Sequence, residues 1–210
     1  MIRRLRNFFT PYGCFRLPAS CDKQPRCTVR LLRDSDMDAC EEIYRSNEAE
    51  HFPPEHFTAF SAWLRARKTL VLVIDSDDGV LGFGGLRLMV DEDSGILSAS
   101  LVYGMIHATQ RGKGFGTILL LARLLLLPKS RKGLSVVLMA VSGSETFYRG
   151  FGFRYVGTHL MSDGSLLRAN AVNLRPKDHR LCRSLLGKAT MDPAIFETPL
   201  PRRKYGESET

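Results

Sequence analysis

The residues best placed to do chemistry are three closely spaced glycines with basic neighbours. Residues 110–117 read Gln-Arg-Gly-Lys-Gly-Phe-Gly-Thr. Such glycines let the backbone turn tightly and let a ligand approach it closely. A predicted helix, 115–127, begins within this segment, and the first N–H groups of a helix have no partner inside it. With the helix dipole and the charges of Arg111 and Lys113, these groups predict a site for a phosphate or pyrophosphate.

Two common nucleotide-binding motifs do not fit this segment. The P-loop pattern G-x-x-x-x-G-K-[ST] is absent, because Lys113 precedes Gly114 and Thr117 follows Gly116. The dinucleotide pattern G-x-G-x-x-G needs a different spacing of its third glycine. It also needs an acidic residue about 20 positions later, where this sequence has Ser-Arg-Lys at 130–132. The sequence therefore disfavours nucleoside triphosphates and nicotinamide dinucleotides.

A second block at residues 147–153 reads Phe-Tyr-Arg-Gly-Phe-Gly-Phe. Together the two blocks resemble the GNAT superfamily of acyl-CoA N-acyltransferases. The family's R/Q-x-x-G-x-G/A motif is matched by Arg111, Gly114 and Gly116, and its Y-x-x-x-G-F element by the block that contains Tyr148. The order and separation of the blocks agree with the family, as does the order of elements across residues 27–174.

The resemblance implies that acetyl-CoA is the co-substrate and that no metal is needed. The backbone near residue 106 would bind the pantetheine arm like an added strand, and the N–H groups of 111–117 would surround the pyrophosphate. The implied cofactor-binding residues are Met105, Ile106, His107, Arg111, Gly112, Lys113, Gly114, Phe115, Gly116 and Thr117. An ordinary glycine-rich turn into a core helix is the alternative.

The implied reaction is the direct attack of a primary amine on the thioester. A base must deprotonate the amine, because a free alkylamine has a pKa of about 10. A strand N–H near Ile106 is suited to the oxyanion, and the departing thiolate needs a proton donor. Tyr148 occupies the position of the family's general acid. The alternative is a packing tyrosine whose hydroxyl reaches solvent.

The sequence does not identify the base. The predicted strand 96–107 has no carboxylate, and its polar candidates are Tyr103 and His107, the latter equally explained as a structural histidine. In the family, the loop between the first two helices borders the acceptor site. Here that region carries Glu50, His51, Glu55 and His56, with Phe52, Phe57 and Phe60 as an apolar wall; a solvated loop is the alternative.

Two positions depart from the family pattern. Ala108 replaces a frequent proline, and a frequent asparagine after the fifth strand is missing where Val141 and Ser142 stand. Ser142 or Ser144 could replace that pantetheine contact.

The predicted fold is an α/β (α+β) GNAT fold, a mixed, mostly antiparallel sheet of six to seven strands flanked by about four helices. Strands 69–75, 80–90 and 96–107 form a meander with a turn at 77–79. The helix 115–127 then leads to a parallel strand at 134–141. Ser142 and Glu145 have the spacing of a capping box, and a last hairpin turns at 163–164. We expect an N-terminal extension at 1–26, the acetyltransferase domain at 27–174, and a helix with a polar tail at 175–210.

Composition and charge fit a globular enzyme. Of 210 residues, 44% are hydrophobic and 25% charged, which excludes a wholly disordered chain. The net charge of +8 is concentrated at the ends, since residues 31–174 carry −1. This distribution disfavours a specific nucleic-acid-binding domain. We expect a small-molecule or peptide amine as substrate and no transmembrane segment. Many relatives form a homodimer, but this sequence does not fix the oligomeric state.

Cysteine usage indicates a reducing compartment. The five cysteines are odd in number and contain no C-x-x-C pair. A cytoplasmic location is predicted; the Arg-rich, acid-free start also resembles a mitochondrial presequence, although it is poor in serine. Two other functions stay open: a catalytically silent GNAT domain that binds acyl-CoA as a sensor or scaffold, and a protein that binds nucleic acid or membrane surfaces through its basic ends.

Overall fold

The computed structural model of this protein describes residues 12–18, 25–52, 54–141, 143–160, 166–187 and 189–205; for residues 49–51 and 160 it describes the backbone only. The strands are β1 Gly13–Cys14, β2 Cys27–Leu31, β3 Leu70–Ser76, β4 Gly79–Val90, β5 Leu97–Ile106, β6 Leu134–Ala140, β7 Arg154–Leu160, β8 Leu166–Leu174, β9 Ala189–Met191 and β10 Arg202–Lys204. The α-helices are α1 Met37–His51, α2 His56–Ala66, α3 Phe115–Leu126, α4 Glu145–Gly150, α5 Pro176–Leu185 and α6 Ala194–Glu197.

All these strands form one mixed sheet. Its order is β1-β8-β6-β5-β4-β3-β2-β9, with β7 also on β8 and β10 also on β4. The predicted meander of β3, β4 and β5 is antiparallel, and α3 connects β5 to a parallel β6. The predicted fold class is confirmed. The sheet is larger than predicted, because segments near both ends of the chain contribute β1, β9 and β10.

The turn between β3 and β4 follows the local sequence. Gly79 has a φ of +91°, a conformation that L residues with a Cβ rarely adopt. The turn predicted at 77–79 is therefore confirmed. The hairpin tip predicted at 163–164 and the capping residue Ser142 lie outside the described residues. The N-cap of α4 is Ser144, and its side chain makes no capping hydrogen bond.

The sheet has an apolar core on each face. Along β3, Leu72 and Ile74 pack with α3, whereas Val71 and Val73 pack with α1 and α2, as expected for side chains that alternate across a strand. Most of α3 is buried, because α5 covers the side that does not face the sheet. The helices on the two faces thus hold β4 and β5 between them, and these strands carry the candidate site.

Candidate active site

Strands β5 and β6 separate at the centre of the sheet. Their parallel pairing runs from Ser98 opposite Ser135 to Leu101 opposite Leu138 and ends there, although β5 continues to Ile106. Residues 102–106 therefore extend beyond the paired part of β6. An extended ligand can bind such an edge through backbone hydrogen bonds.

A β-bulge lies where the strands separate. Phe83 pairs with Met105 and Gly85 with Val102, so two residues of β5, Tyr103 and Gly104, lie opposite one residue of β4. Tyr103 has a φ of +44°, which is uncommon for a residue with a bulky side chain. Bulges bend a strand and occur often beside active sites. The bulge bends β5 at the position where it leaves β6.

The backbone at the end of β5 faces the space that β6 leaves. The His107 N–H donates to the Leu81 carbonyl of the β4 side at 2.9 Å. Because N–H groups alternate along a strand, the preceding N–H, that of Ile106, points away from β4. Met105 is buried and Ile106 half-buried, so these two residues offer main-chain rather than side-chain groups.

The glycine-rich segment wraps the start of α3. Gly112 and Gly114 have φ values of +75° and +95°, and Gly114 is the N-cap of the helix. The first hydrogen bond of the helix runs from the Ile118 N–H to the Gly114 carbonyl at 3.2 Å. The N–H groups of residues 115–117 come before it and have no acceptor within the helix. Phe115 packs its ring into the core, and Thr117 is half-buried. This segment therefore presents mainly backbone N–H groups.

The basic and polar side chains of the segment have partners within the protein. The Arg111 guanidinium donates to the Asn47 Oδ1 atom of α1. The exposed Lys113 donates to Gln110 at 2.8 Å. His107 uses its Nδ1 atom to cap the short 3₁₀ turn Ala108–Gln110, where it lies 2.9 Å from the Thr109 hydroxyl. These contacts favour the structural interpretation of His107 over a catalytic base.

Asn47 is a site residue that the sequence analysis missed. It is 4% exposed, and its amide nitrogen donates to the carbonyls of Ile43 at 2.7 Å and Ile106 at 3.1 Å. The neighbouring Ser46 hydroxyl accepts the Ala108 N–H at 3.1 Å. Helix α1 therefore fixes the end of β5 and Arg111 together. The available signal was an asparagine on the buried face of α1, one turn after Ile43.

Tyr148 lies on α4 beside this region. It is half-buried, with its ring against Phe147 and Phe153 at centroid distances of 5.1 and 5.7 Å. A Cβ added at Gly116 would lie 3.7 Å from Phe147 and 3.8 Å from Ile106. Helix α4, the first turn of α3 and the end of β5 thus meet at one place.

A buried arginine of α3 lies beside the bulge of β5. Arg123 is 2% exposed; its Nε atom donates to the Leu119 carbonyl at 3.3 Å and its Nη1 atom to the Gly85 carbonyl at 3.5 Å. Burial lowers the pKa of Arg123, and the phenol of Tyr148 acts in the opposite direction. Arg123 is the second residue of this site that the sequence analysis missed.

The region between α1 and α2 is more apolar than a solvated loop. Tyr44 stacks on Phe60 and Phe52 at 4.4 and 5.1 Å, and Phe57 packs edge-on against Tyr44 at 5.6 Å. Phe60 is fully buried and belongs to the core, so its predicted place in an acceptor wall is wrong. Phe52 and Phe57 are only half-buried and can still border a ligand. The side chains of Glu50 and His51 lie outside the described part of the chain, and Glu55 is exposed.

A groove of about 1000 Å³ borders Gln110, Lys113 and Phe115 of the glycine-rich segment. Its lining is Pro25, Arg26, Cys27, Thr28, Asp75, Ser76, Asp77, Asp78, Leu81, Gln110, Lys113, Phe115, Gly187 and Thr190. Basic Arg26 and Lys113 share this groove with three aspartates, and the mixed charge gives it no strong preference for an anion. The backbone N–H groups of the segment are therefore the better anion site.

Comparison with known proteins identifies the family. The sequence profile described as "Acetyltransferase (GNAT) family" matches residues 37–153, more than half of the chain. The chain belongs to the GNAT acetyltransferase family. As predicted, this GNAT protein is an acetyl-CoA-dependent acyltransferase. No curated protein sequence matches it significantly.

Solved GNAT structures share its fold at low sequence identity. An N-acetyltransferase from Staphylococcus aureus Mu50 is 19% identical with a TM-score of 0.51, covering 72% of this chain and 100% of its own. NAA60 of Arabidopsis thaliana, in complex with a bisubstrate analogue, is 14% identical with a TM-score of 0.53, covering 70% and 97%. An aminoglycoside 6'-N-acetyltransferase complexed with coenzyme A is 13% identical with a TM-score of 0.53, covering 70% and 97%.

Within the described ranges, no group of three or more His, Cys, Asp or Glu residues is arranged to hold a metal ion. None of the helices described is both long and apolar enough to traverse a bilayer.

Proposed function

We propose that this GNAT protein transfers an acetyl group from acetyl-CoA to a primary amine, with Tyr148 as the general acid. One observation supports this most: α4, which carries Tyr148, lies with its Phe147 ring where the first turn of α3 meets the end of β5. A pyrophosphate site, a strand edge and a proton donor then lie next to each other. Holding two reactants in line across such a site supplies much of the acceleration.

The backbone has the features that acetyl-CoA requires. The N–H groups of residues 112–117 are suited to the diphosphate, because they combine unpartnered helix N–H groups with two glycines at positive φ. The edge of β5 at residues 102–106 suits the amide-containing arm. The Ile106 N–H is the candidate donor to the developing oxyanion. The cofactor-binding roles of residues 105–107 and 111–117 are part of this proposal.

Tyr148 protonates the leaving sulfur in this proposal. A phenol is a hydrogen-bond donor that is protonated at neutral pH. The amine is expected to approach from the side of α1 and α2, where half-buried Phe52 and Phe57 make the surroundings partly apolar. The acceptor can be a small molecule or a peptide.

The proposal also covers the organisation and location of the protein. We take residues 27–174 as the acetyltransferase domain, with additions from the flanking segments, and a reducing compartment such as the cytoplasm as its location. Cys27, Cys40 and Cys182 are free and buried, and burial raises the pKa of their thiols to about 11, 12 and 12. Such thiols are compatible with a reducing environment.

The test is thiol release from acetyl-CoA against a panel of primary amines. At least one amine is expected to support turnover, and Tyr148→Phe is expected to lower kcat about 100-fold, in the range typical of a lost general acid. Its affinity for acetyl-CoA should change little. The matched control is Tyr155→Phe, which removes an exposed hydroxyl on β7.

The same test separates catalysis from binding alone. Thermal stabilisation by acetyl-CoA without thiol release for any amine would favour a silent acyl-CoA-binding domain. Full turnover by Tyr148→Phe would assign the acid role to another donor.

A further inference from the structure

An N-terminal strap, residues 12–18, crosses the end of α4. The strap lies before the segment that matches the GNAT family, which begins at Met37. The Arg16 N–H donates to the Phe151 carbonyl at 3.2 Å, and the Arg16 guanidinium donates to the Arg149 carbonyl at 3.2 Å. An addition outside the family domain therefore bonds to the helix that carries the proposed acid.

Two glycines let the strap and the turn after α4 meet backbone to backbone. A Cβ at Gly13 would lie 1.6 Å from the Gly152 carbonyl oxygen, and a Cβ at Gly152 would lie 2.0 Å from the Cys14 carbonyl oxygen. Neither position can hold a larger side chain unless the backbone moves. Gly13 also pairs with Val172 of β8, which fixes the strap to the edge of the sheet. The strap thus links the end of α4 to the sheet.

A row of aromatic rings continues this contact to the glycine-rich segment. Phe15 of the strap is 3% exposed and stacks on Phe151 with the ring centroids 6.5 Å apart. Phe151 packs edge-on against Phe147 at 5.1 Å. A Cβ at Gly116 would lie 3.7 Å from the Phe147 ring, which places that ring against the first turn of α3. The strap, the end of α4 and the glycine-rich segment are therefore packed in one continuous row, and close-packed groups transmit displacements.

We propose that the N-terminal strap positions α4, which carries Tyr148, against the first turn of α3. This inference rests on the proposed acid role of Tyr148. The Tyr148 carbonyl accepts the N–H groups of Phe151 and Phe153, at 3.0 and 3.2 Å, so the turn that the strap contacts is bonded to this residue. The strap residues act through α4 and are positioning residues. Small displacements of a reacting group slow a reaction strongly, so a loosened strap lowers turnover.

The first test compares two glycine-to-alanine variants. Gly13→Ala forces the strap and the turn apart and is expected to lower kcat about 10-fold. The KM for acetyl-CoA should stay within about 2-fold, because Asn47 and Arg111 hold the glycine-rich segment from α1. The control is Gly157→Ala on β7, where a Cβ meets nothing within 4 Å, and neither glycine has a positive φ. A strap that serves stability alone would lower the melting temperature of Gly13→Ala and leave kcat unchanged, which would overturn the proposal.

A second variant creates no collision. Arg16→Gln removes the guanidinium bond to the Arg149 carbonyl from an exposed position and is expected to lower kcat about 3-fold. Arg16→Lys keeps a cationic donor and is expected to recover most of this loss, and Arg180→Gln on the exposed side of α5 should leave kcat unchanged. If Gly13→Ala does not fold, native kcat in Arg16→Gln would overturn the proposal.

A spectroscopic test does not depend on turnover. In protein labelled with ¹³Cζ-tyrosine, the Tyr148 resonance is identified by its loss in Tyr148→Phe. It is expected to move in Gly13→Ala and to stay in place in Gly157→Ala. An unmoved resonance in Gly13→Ala, or an equal movement in both variants, would overturn the inference. If no amine supports turnover in the native protein, the proposed function fails, and this experiment alone then decides whether the strap positions Tyr148.

Discussion

Single residues buried between elements determine how the start of α1 joins the sheet. Arg30 donates to both oxygens of Asp36, at 2.6 and 2.9 Å, and to Asp75 at 2.6 Å. Asp36 also accepts the Arg33 N–H at 2.7 Å. Burial of Asp36 would raise its pKa, but these hydrogen bonds outweigh it, and the pKa lies below the usual value of 3.8. The group links β2, β3 and α1.

Replacing Asp36 should therefore be costly and pH-dependent. Asp36→Asn is expected to lower the free energy of unfolding by about 3 kcal/mol at pH 7, because it leaves the buried Arg30 with less compensation. A carboxyl with a lowered folded pKa stabilises above its unfolded pKa and loses that contribution as pH falls through the folded value. Urea unfolding from pH 7 to pH 2.5 should show the difference from the native protein shrinking below about pH 4.

The exposed Asp78 supplies the control for this measurement. Asp78→Asn on the β3–β4 turn is expected to change stability by less than about 0.5 kcal/mol at either pH. A difference for Asp36→Asn that stays constant down to pH 2.5 would contradict the assignment.

Asn47 offers a test of how the end of β5 is held. Asn47→Ala removes the donor to the Ile106 carbonyl and the acceptor for Arg111, so the β5 edge and the glycine-rich segment lose their common anchor. Calorimetric binding of coenzyme A is expected to weaken about 10-fold. Asn170→Ala on β8 removes another buried asparagine and should leave affinity unchanged. Equal affinities in the two variants would exclude the anchoring role.

Residue identity predicted the local part of the site and missed the distant part. Gly112 and Gly114 lie in a short motif whose spacing predicts an anion site, whereas the role proposed for Tyr148 follows from the family resemblance. Asn47 and Ile106 are 59 positions apart, and Arg123 reaches Gly104 of the bulge only after α3 has packed on the sheet. Such contacts depend on tertiary structure and leave no local periodic signal.

At the scale of elements, the proposed diphosphate site depends on the backbone conformation of the glycine-rich segment. Gly112 has a φ of +75°, and a Cβ there would meet nothing within 4 Å. Gly112→Ala should therefore cost only backbone strain, about 1 kcal/mol, and shift the N–H groups out of place. Coenzyme A affinity is expected to fall about 10-fold.

Gly95 on the β4–β5 turn is a matched control for Gly112. Its φ is +65°, and a Cβ there also meets nothing within 4 Å. Gly95→Ala should lose similar stability in chemical denaturation and keep its affinity for coenzyme A. Similar affinities in both alanine variants would show that the segment does not bind the diphosphate.

The packing of α5 on α3 should depend on pH. His179 of α5 is 2% exposed, and burial lowers its pKa below the usual 6.5. Neither of its buried ring nitrogens has a hydrogen-bond partner in the described part of the chain. The unfolded chain therefore binds the proton first as pH falls. Stability is expected to drop as pH falls below about 6.5. His179→Leu should reduce this loss of stability, measured as the decrease in melting temperature between pH 7.5 and 5.5. An equal decrease in the variant and the native protein would show that His179 does not cause the pH dependence.

Element boundaries were predicted best where turn chemistry is strong. Strand β4 begins at Gly79 and helix α3 directly after Gly114, and both starts were predicted to within a residue. Helix α1 runs to His51, and its buried Asn47 is satisfied by the Ile106 carbonyl and not by solvent. A polar residue on the buried face interrupts the apolar periodicity, so the sequence pattern does not predict that the helix continues.

On the scale of the whole molecule, the segments near both ends complete the sheet. Strand β9 pairs with β2 and β10 with β4, and Tyr205 bonds to Ser98 of β5. Phe15 and Ile195 are buried, at 3% and 1% exposure. The sequence did not predict these strands, since segments of two or three residues are too short to show alternation.

Removing the flanking segments should therefore destabilise the protein. The fragment 27–174 lacks Phe15, α5 and Ile195, so it uncovers part of α3. Strand β2 also loses its pairing with β9, and β4 its pairing with β10. Its melting temperature is expected to fall by at least 10 °C from that of the full chain, or its cooperative transition to disappear. A fragment that melts with the full chain would show that residues 27–174 are an independent domain.

The most direct test of the account is calorimetric titration of the full chain with coenzyme A, because the central claim is that the backbone of residues 111–117 binds its diphosphate. Saturable binding is expected for the native protein, with affinity reduced in Gly112→Ala and retained in Gly95→Ala. The absence of any binding heat at millimolar coenzyme A would contradict the account.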